Sequence, residues 1–296
     1  MNNANSLPNL LAGLALASSL SAGAQSLQVN YANAGESVAD TATCLSGIHP
    51  SGDLRGCSGA ITSTSAMAGT TLHGEGHAQW SNGINSQAWA TAGFGSLKAF
   101  AETSNPGVSD ARNTQSRGAA SMADFITASN AGGAPVTVYN YAVTVHGTLS
   151  PWLTVGGITD AGRNSAYVNF VASPICFACN NVVDNRSLDI GVSSFTYGGS
   201  FSAPTGTKIQ IGLGLDVWTY AAVPAGTAVT ETADFGSTVT LHIDGVTPGA
   251  NTVGASGFNY ATAPVPEPAS ALLWLLGLAG LAARTRRSSI TQEASS

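Results

Sequence analysis

Lys208 to Ala221 reads K-I-Q-I-G-L-G-L-D-V-W-T-Y-A. Ile209, Ile211, Leu213, Leu215 and Val217 recur at every second position, with Lys208, Gln210, Gly212, Gly214 and Asp216 between them. A period of two puts alternate side chains on opposite faces of an extended strand, whereas a helix of this sequence would scatter its apolar residues. The stretch is predicted as a strand with one face on a core and the other polar. Similar alternation runs through Val136-Thr137-Val138, Tyr139 to Val145, Ala166 to Val171, Leu188 to Val192 and Val239-Leu241-Ile243. Turn signals separate these runs at Asn130 to Pro135, Gly198-Gly199, Pro204 to Gly206, Pro224 to Gly226 and Pro248-Gly249, so adjacent strands are expected to be antiparallel. Many short strands with regular breaks predict an all-β fold, an antiparallel β-sandwich of jelly-roll type. Met122 to Ser129 is read as a helical turn. Ala60 to Ala101, rich in Gly, Ser and Ala around Trp80, Trp89 and Phe94, gives no clear strand boundaries.

Charged residues make up only 9% of the chain, and Gly accounts for 35 of 296 positions beside abundant Ser and Thr. That composition suits strands and tight turns. Between Gln25 and Val265 there are 14 acidic and seven basic residues, a formal charge of −7. Such a surface repels phosphate backbones, which argues against nucleic acid as a partner. With 44% hydrophobic residues, the body from 25 to 262 has enough apolar side chains for one sizeable core.

Both ends read as addresses. Leu10 to Leu20 is apolar and is followed by Ala22-Gly23-Ala24, a small-x-small cleavage site, so residues 1–24 are expected to be a secretory signal peptide leaving Gln25 first. Near the other end, Val265-Pro266-Glu267-Pro268 precedes an uncharged apolar run, Ala269 to Ala283, and then Arg284-Thr285-Arg286-Arg287. The prolines disfavour helix in the residues before them, which predicts an extended, accessible tether. The run is expected to be a transmembrane helix over 269–283. At a rise of about 1.5 Å per residue its fifteen residues give roughly 22 Å, short of a hydrocarbon core of about 30 Å. Bilayer thinning, snorkelling or flanking residues must supply the rest. The arginines hold the C-terminus in the cytoplasm, which leaves the body outside.

At these residues the chain resembles the PEP-CTERM family of bacterial sorting signals: Val265-Pro266-Glu267-Pro268, a short transmembrane helix and an Arg-rich terminus, Arg284, Arg286 and Arg287, in that order. The resemblance spans 263–287. It implies recognition by an exosortase, a membrane cysteine peptidase that removes the tail as the protein is sent to the cell surface or the exopolysaccharide matrix. The chain departs from the family pattern in continuing from Ser288 to Ser296, read as a short cytoplasmic tail. A similar tail is found as the C-terminal region of ice-binding proteins, which implies nothing about ice here. Ala233 to Ala261 resembles, more loosely, the closing strand and loop that precede this tail in β-rich relatives.

The four cysteines fall into two local pairs, Cys44 with Cys57 and Cys176 with Cys179. In an oxidising compartment an even count favours disulfides. A Cys44–Cys57 bridge would close a loop of about 14 residues, worth roughly 3 kcal/mol by chain entropy. Cys176-Phe177-Ala178-Cys179 also has redox spacing, but a working redox pair wants a helix N-terminus, and here Pro174 precedes it and Asn180-Asn181 follow. A joint four-cysteine metal site is the third reading.

The search for chemistry finds one tempting cluster, His73-Gly74-Glu75-Gly76-His77. On a strand its two imidazoles and carboxylate share a face, the weak metal candidate of the chain. The alternative is the polar face of a Gly-rich edge strand. His49, His146 and His242 are isolated in sequence, and Asp184, Asp189 and Asp216 are scattered. Neither a Gly-x-Ser-x-Gly elbow nor a phosphate-binding or calcium loop occurs. No catalytic residue and no cofactor is predicted. Trp80, Trp89, Trp152 and Trp218 are candidates for stacking on sugar faces, with Trp218 and Tyr220 on the polar side of the Lys208 strand; the alternative is cross-strand filler. The expectation is a non-catalytic surface or matrix protein, passed by the secretion translocase to exosortase, with exopolysaccharide as candidate partner. The competing expectation is a secreted hydrolase of polysaccharide, which requires two carboxylates about 5 to 10 Å apart in a cleft.

Overall fold

The computed structural model describes residues 25–35, 43–44, 49–50, 56–79, 83–107, 114–151, 153–155, 158–176, 179–188, 194–221 and 226–262. The expected signal peptide, transmembrane helix and sorting residues Val265 to Arg287 lie outside the described residues, as do Trp80, Trp152 and Asp189.

The described chain is built from strands: β1 (Ser26–Gly35), β2 (Thr43–Cys44), β3 (His49–Pro50), β4 (Gly56–Thr64), β5 (Thr71–Gln79), β6 (Asn85–Gly93), β7 (Ser96–Asn105) and β8 (Thr114–Thr127). There follow β9 (Val136–Leu149), β10 (Leu153–Val155), β11 (Ile158–Pro174), β12 (Val182–Leu188), β13 (Ser194–Pro204), β14 (Lys208–Ala221) and β15 (Val229–Gly245). Two sheets form. The first runs β10-β11-β14-β8-β1-β4-β3 with β12 also paired to β11; the second runs β13-β9-β15-β7-β6-β5-β2. All neighbours are antiparallel, and the described residues contain no helix.

The core lies between the sheets. From the first come Leu27 and Val29 of β1, Met122 and Ile126 of β8, and Ile209, Ile211, Leu213, Leu215 and Val217 of β14, the inward set that the alternation of that stretch predicts. From the second come Tyr139, Val143 and Val145 of β9 and Phe235, Leu241 and Ile243 of β15. Opposite β8 the second sheet offers mainly alanine, Ala88 and Ala90 on β6 and Ala99 and Ala101 on β7. These small residues let the sheets close until a Cβ on Gly118 would meet the carbonyl oxygens of Trp89 and Phe100, each at 2.6 Å. Serine hydroxyls bridge the same gap: Ser86 Oγ donates to the Gln115 carbonyl at 3.1 Å and Ser116 Oγ to the Gln87 carbonyl at 2.5 Å.

Three expectations are corrected. Gly198-Gly199 is not a turn but lies inside β13, because pairing to Ala142 and Tyr141 of β9 holds that stretch extended. Met122 to Thr127 is strand, not helical turn, because β8 is paired along both edges, to β1 and to β14. That pairing outweighs the helix propensity of Met and Ala. In Val136-Thr137-Val138 the alternation holds with its phase inverted: Thr137 is fully buried and Val136 is 44% exposed. Tyr139, Tyr141, Val143 and Val145 fix which face of β9 points inward, and Thr137 follows, satisfied by Asn130 Nδ2 at 3.0 Å and Thr205 Oγ1 at 3.1 Å.

After β15, residues 246–262 fold back across the end of the sandwich. The buried Asp124 carboxylate holds them, accepting from the amides of Phe125 (2.7 Å) and Ser256 (3.1 Å), from Ser256 Oγ (2.6 Å) and from the Tyr260 hydroxyl (3.0 Å). Burial, reinforced by the adjacent carboxylate, raises the Tyr260 hydroxyl well above its ordinary range.

Candidate functional site

The outer face of the second sheet carries the most concentrated set of functional groups. Strand alternation aims His73, Glu75 and His77 of β5 outward, with Gln87, Trp89 and Thr91 of β6, Lys98, Phe100 and Glu102 of β7, and Thr232 and Asp234 of β15. Register sets them in rows. Glu75, Trp89, Phe100 and Asp234 stand abreast, and His77, Gln87, Glu102 and Thr232 form the next row. Trp89 and Phe100 are nearly parallel, 7° apart with ring centroids at 5.8 Å, and the His73 ring lies 6.1 Å from Trp89. At that separation the parallel rings stack without the roughly 3.5 Å face contact of a closed pair.

Local structure holds this row in place. Between Phe235 and Val239, β15 takes four steps while β7 and β9 each take two, a bulge at Gly236-Ser237-Thr238. Bulges re-aim side chains at sheet surfaces. Here Asp234 Oδ1 accepts the Gly236 amide at 2.8 Å, and a Cβ on Gly236 would lie 3.1 Å from Trp89 Cη2. The bulge thus lays backbone against the indole with no room to spare. Gln87 Nε2 donates to Glu102 Oε1 at 2.9 Å and orients that carboxylate.

The His73, Glu75 and His77 side chains share this face as the alternation predicts, but they do not converge. His73 Nδ1 shares a hydrogen bond with Thr91 Oγ1 at 2.8 Å, its Nε2 lies 3.6 Å from Glu75 Oε2, and His77 Nε2 donates to Asn85 Oδ1 at 2.5 Å. Among the described residues no three His, Cys, Asp or Glu side chains are grouped to hold a metal ion.

The remaining candidates lie apart. Trp218 and Tyr220 are half-buried on the outer side of β14, in the first sheet. Beside them Arg117 makes a forked pair with Asp216, Nε to Oδ1 at 2.8 Å and Nη2 to Oδ2 at 2.5 Å. Those hydrogen bonds raise the guanidinium further above its ordinary value. Asp184 on β12 accepts from Arg186 Nε at 3.0 Å and from the Tyr141 hydroxyl at 3.1 Å. Burial first, and then that bond, push the Tyr141 hydroxyl up to about 12. The Arg186 guanidinium lies 5.2 Å from the centre of the Tyr197 ring. Both aspartates are thus engaged by arginine, and they are held in separate clusters.

Cys176 and Cys179 are joined, with Cα atoms 5.6 Å apart. They link the end of β11 to the start of β12, and among the described residues no helix N-terminus lies beside the bridge. It borders a cavity of about 390 Å³ lined by Val136, Val182, Phe201, Ala203 and Pro204 among others, with no ionisable side chain among the described residues of its wall. The backbone places Cys44 on β2 beside Ala78 and Cys57 on β4 beside Asn33; their side chains lie outside the described residues. His49 belongs to β3 of the first sheet.

Sequence reasoning missed the extent of the outer face. It treated His146 and His242 as isolated, yet both lie on that face, His146 bonded to Ser194 Oγ at 2.9 Å and His242 Nε2 2.9 Å from Asp244 Oδ2. The parity of β9 and β15 carried this signal, but reading it required knowing that these strands adjoin in one sheet.

An all-β body followed by a C-terminal address defines an exported protein rather than a particular chemistry. Residues 264–287 match the PEP-CTERM protein-sorting motif. The chain therefore carries the signal that the resemblance implied, one that marks a protein for export, membrane-anchored transit and exosortase processing. No curated protein matches the chain.

Proposed function

We propose that this chain is a non-catalytic, jelly-roll-like surface or matrix protein. The secretion translocase exports it, the C-terminal helix holds it in the inner membrane with its terminus in the cytoplasm, and exosortase releases it to the cell surface or the extracellular matrix. There the outer face of the second sheet holds exopolysaccharide. The stacked Trp89–Phe100 pair carries this reading: two parallel, half-buried rings on the outer face of the second sheet, bordered by Glu75, Gln87, Glu102 and Asp234. Aromatic faces pack on the apolar side of a sugar while carboxylates and amides bond its hydroxyls. Asp184 and Asp216, two of the carboxylates that a hydrolase would draw on, are each engaged by arginine.

Two measurements test it. Mass spectrometry of the protein from envelope and culture supernatant, with and without functional exosortase, should show the tail removed only in the competent strain. Retention on the host's isolated exopolysaccharide should fall in Trp89→Ala and not in Trp218→Ala. Equal retention of both variants would reject the second sheet as the binding face.

A further inference from the structure

Four of the chain's five histidines, His73, His77, His146 and His242, project from the outer face of the second sheet. The other charged groups on that face, among the described residues, are Glu75 on β5, Lys98 and Glu102 on β7, and Asp234 and Asp244 on β15; β6, β9 and β13 add none beyond His146. Four carboxylates against one ammonium give the face a formal charge of −3 with the imidazoles neutral. Four imidazolium ions would bring it to +1. Imidazole is the side chain whose charge changes between about pH 5 and 8. Protonation of all four imidazoles would therefore reverse the sign of this face.

The aromatic row lies at the acidic part of the face. Glu75 is the cross-strand neighbour of Trp89, Asp234 is that of Phe100, and Gly236, whose amide Asp234 accepts, is placed so that a Cβ on it would lie 3.1 Å from the indole. An aromatic face bordered by carboxylates is the arrangement that attracts an ammonium group, through the ring quadrupole and the opposite charge together. It repels a polyanion in the same way. Resting on the saccharide-binding reading above, we infer that this face takes an amine-bearing polysaccharide, one whose sugars carry free amino groups, near neutral pH and releases it on acidification. His73, within reach of Glu75 and Trp89, is the imidazole placed to compete with the sugar ammonium for both. The expected order of preference is free amine, then N-acetylated sugar, then uronic acid.

The test uses the full-length chain purified in mild detergent, titrated calorimetrically with a glucosamine hexamer and with its fully N-acetylated counterpart. At pH 7 the free-amine oligomer should bind about tenfold more tightly than the acetylated one, and Glu75→Gln/Asp234→Asn should remove most of that difference. Lowering the pH to 5 should weaken free-amine binding by about tenfold. The sugar's own amine is more fully protonated at the lower pH, so ligand titration alone would move affinity the other way. Trp89→Ala should abolish binding and Trp89→Phe retain it, with unchanged circular dichroism establishing that each variant is folded. Equal binding of the two oligomers, or binding that holds or strengthens at pH 5, overturns the amine assignment and leaves the saccharide reading intact. If neither oligomer nor the host's exopolysaccharide responds to Trp89→Ala, both fail.

Discussion

A Cβ atom on Gly118 would stand 2.6 Å from the carbonyl oxygen of Trp89, across the interior from one sheet to the other. The same atom would stand 2.6 Å from the Phe100 carbonyl. The two rings that mark the outer face of the second sheet are thus mounted on backbone that rests directly on the first. Both obstacles are backbone atoms of paired strands, so neither can swing aside. Gly118→Ala must push the sheets apart, at a cost of about 1 to 3 kcal/mol. Gly132→Ala, whose Cβ meets nothing nearer than 4.0 Å, should change stability by less than about 0.5 kcal/mol. Denaturant titration of the two variants checks the contrast, and tryptophan fluorescence should shift in the first only.

Asp124 predicts a second cost. Its fully buried carboxylate gathers four donors. Removing it strands the Ser256 and Tyr260 hydroxyls and two amides, and each buried donor left without a partner costs about 1 to 3 kcal/mol. Asp124→Ala should therefore lose about 3 kcal/mol or more. Hydrogen exchange at the Phe125 and Ser256 amides should accelerate. Normal protection at Ser256 would show that the 246–262 segment is held by something else.

Glu231 gives a pH dependence with a definite sign. It is buried between the sheets, where Asn164 Nδ2 donates to Oε2 at 2.8 Å. Burial raises its carboxyl from 4.5 to about 6, against the opposing pull of the Asn164 bond. The folded state then holds the proton more firmly than the unfolded one. Its stabilising contribution is complete below the ordinary value and is lost as pH rises through about 6, a change of about 2 kcal/mol at roughly 1.4 kcal/mol per pH unit. Glu231→Gln should flatten the stability profile across that window and be the more stable protein at pH 7. A profile unchanged by the substitution would mean that Glu231 does not titrate there.

How far the sequence disclosed this molecule follows from the range over which each feature is determined. The Lys208 strand and the Tyr139 to Val145 run announced their inward faces because alternation is local and a large core lies on one side. The sorting motif was legible for the same reason: a few adjacent residues are read in order. Strand neighbours were not legible, since Val29 pairs with Ala120 and Ala120 with Leu215, and nothing near any of the three names the others. Thr137 was misread because its phase is inherited from the tyrosines that follow it. The helical reading of Met122 to Ser129 failed because two partner strands decide it. The histidine-bearing face needed both parity and sheet order, so only its β5 portion could be seen in advance.

The Cys176–Cys179 bridge closes a very short ring, and that limits what it can contribute. Loop-closure entropy grows with the logarithm of loop length, so a four-residue ring is worth about 2 kcal/mol, against roughly 3 for a loop near fourteen residues. β11 and β12 are also held by a register running from Ala166↔Leu188 to Ala172↔Val182, which restrains the connection without the bridge. Cys176→Ser/Cys179→Ser should therefore fold to the same sandwich, with a midpoint lowered by about 2 kcal/mol or less. The comparison is a denaturant titration of the wild-type and double-variant chains, with alkylation under non-reducing conditions to establish that the wild-type thiols are oxidised. A loss well above that size would mean that the connection orders the cavity wall at Val182 and Phe201 as well as linking two strands. Alkylation of Cys176 in the untreated protein would show instead that the pair is kept reduced.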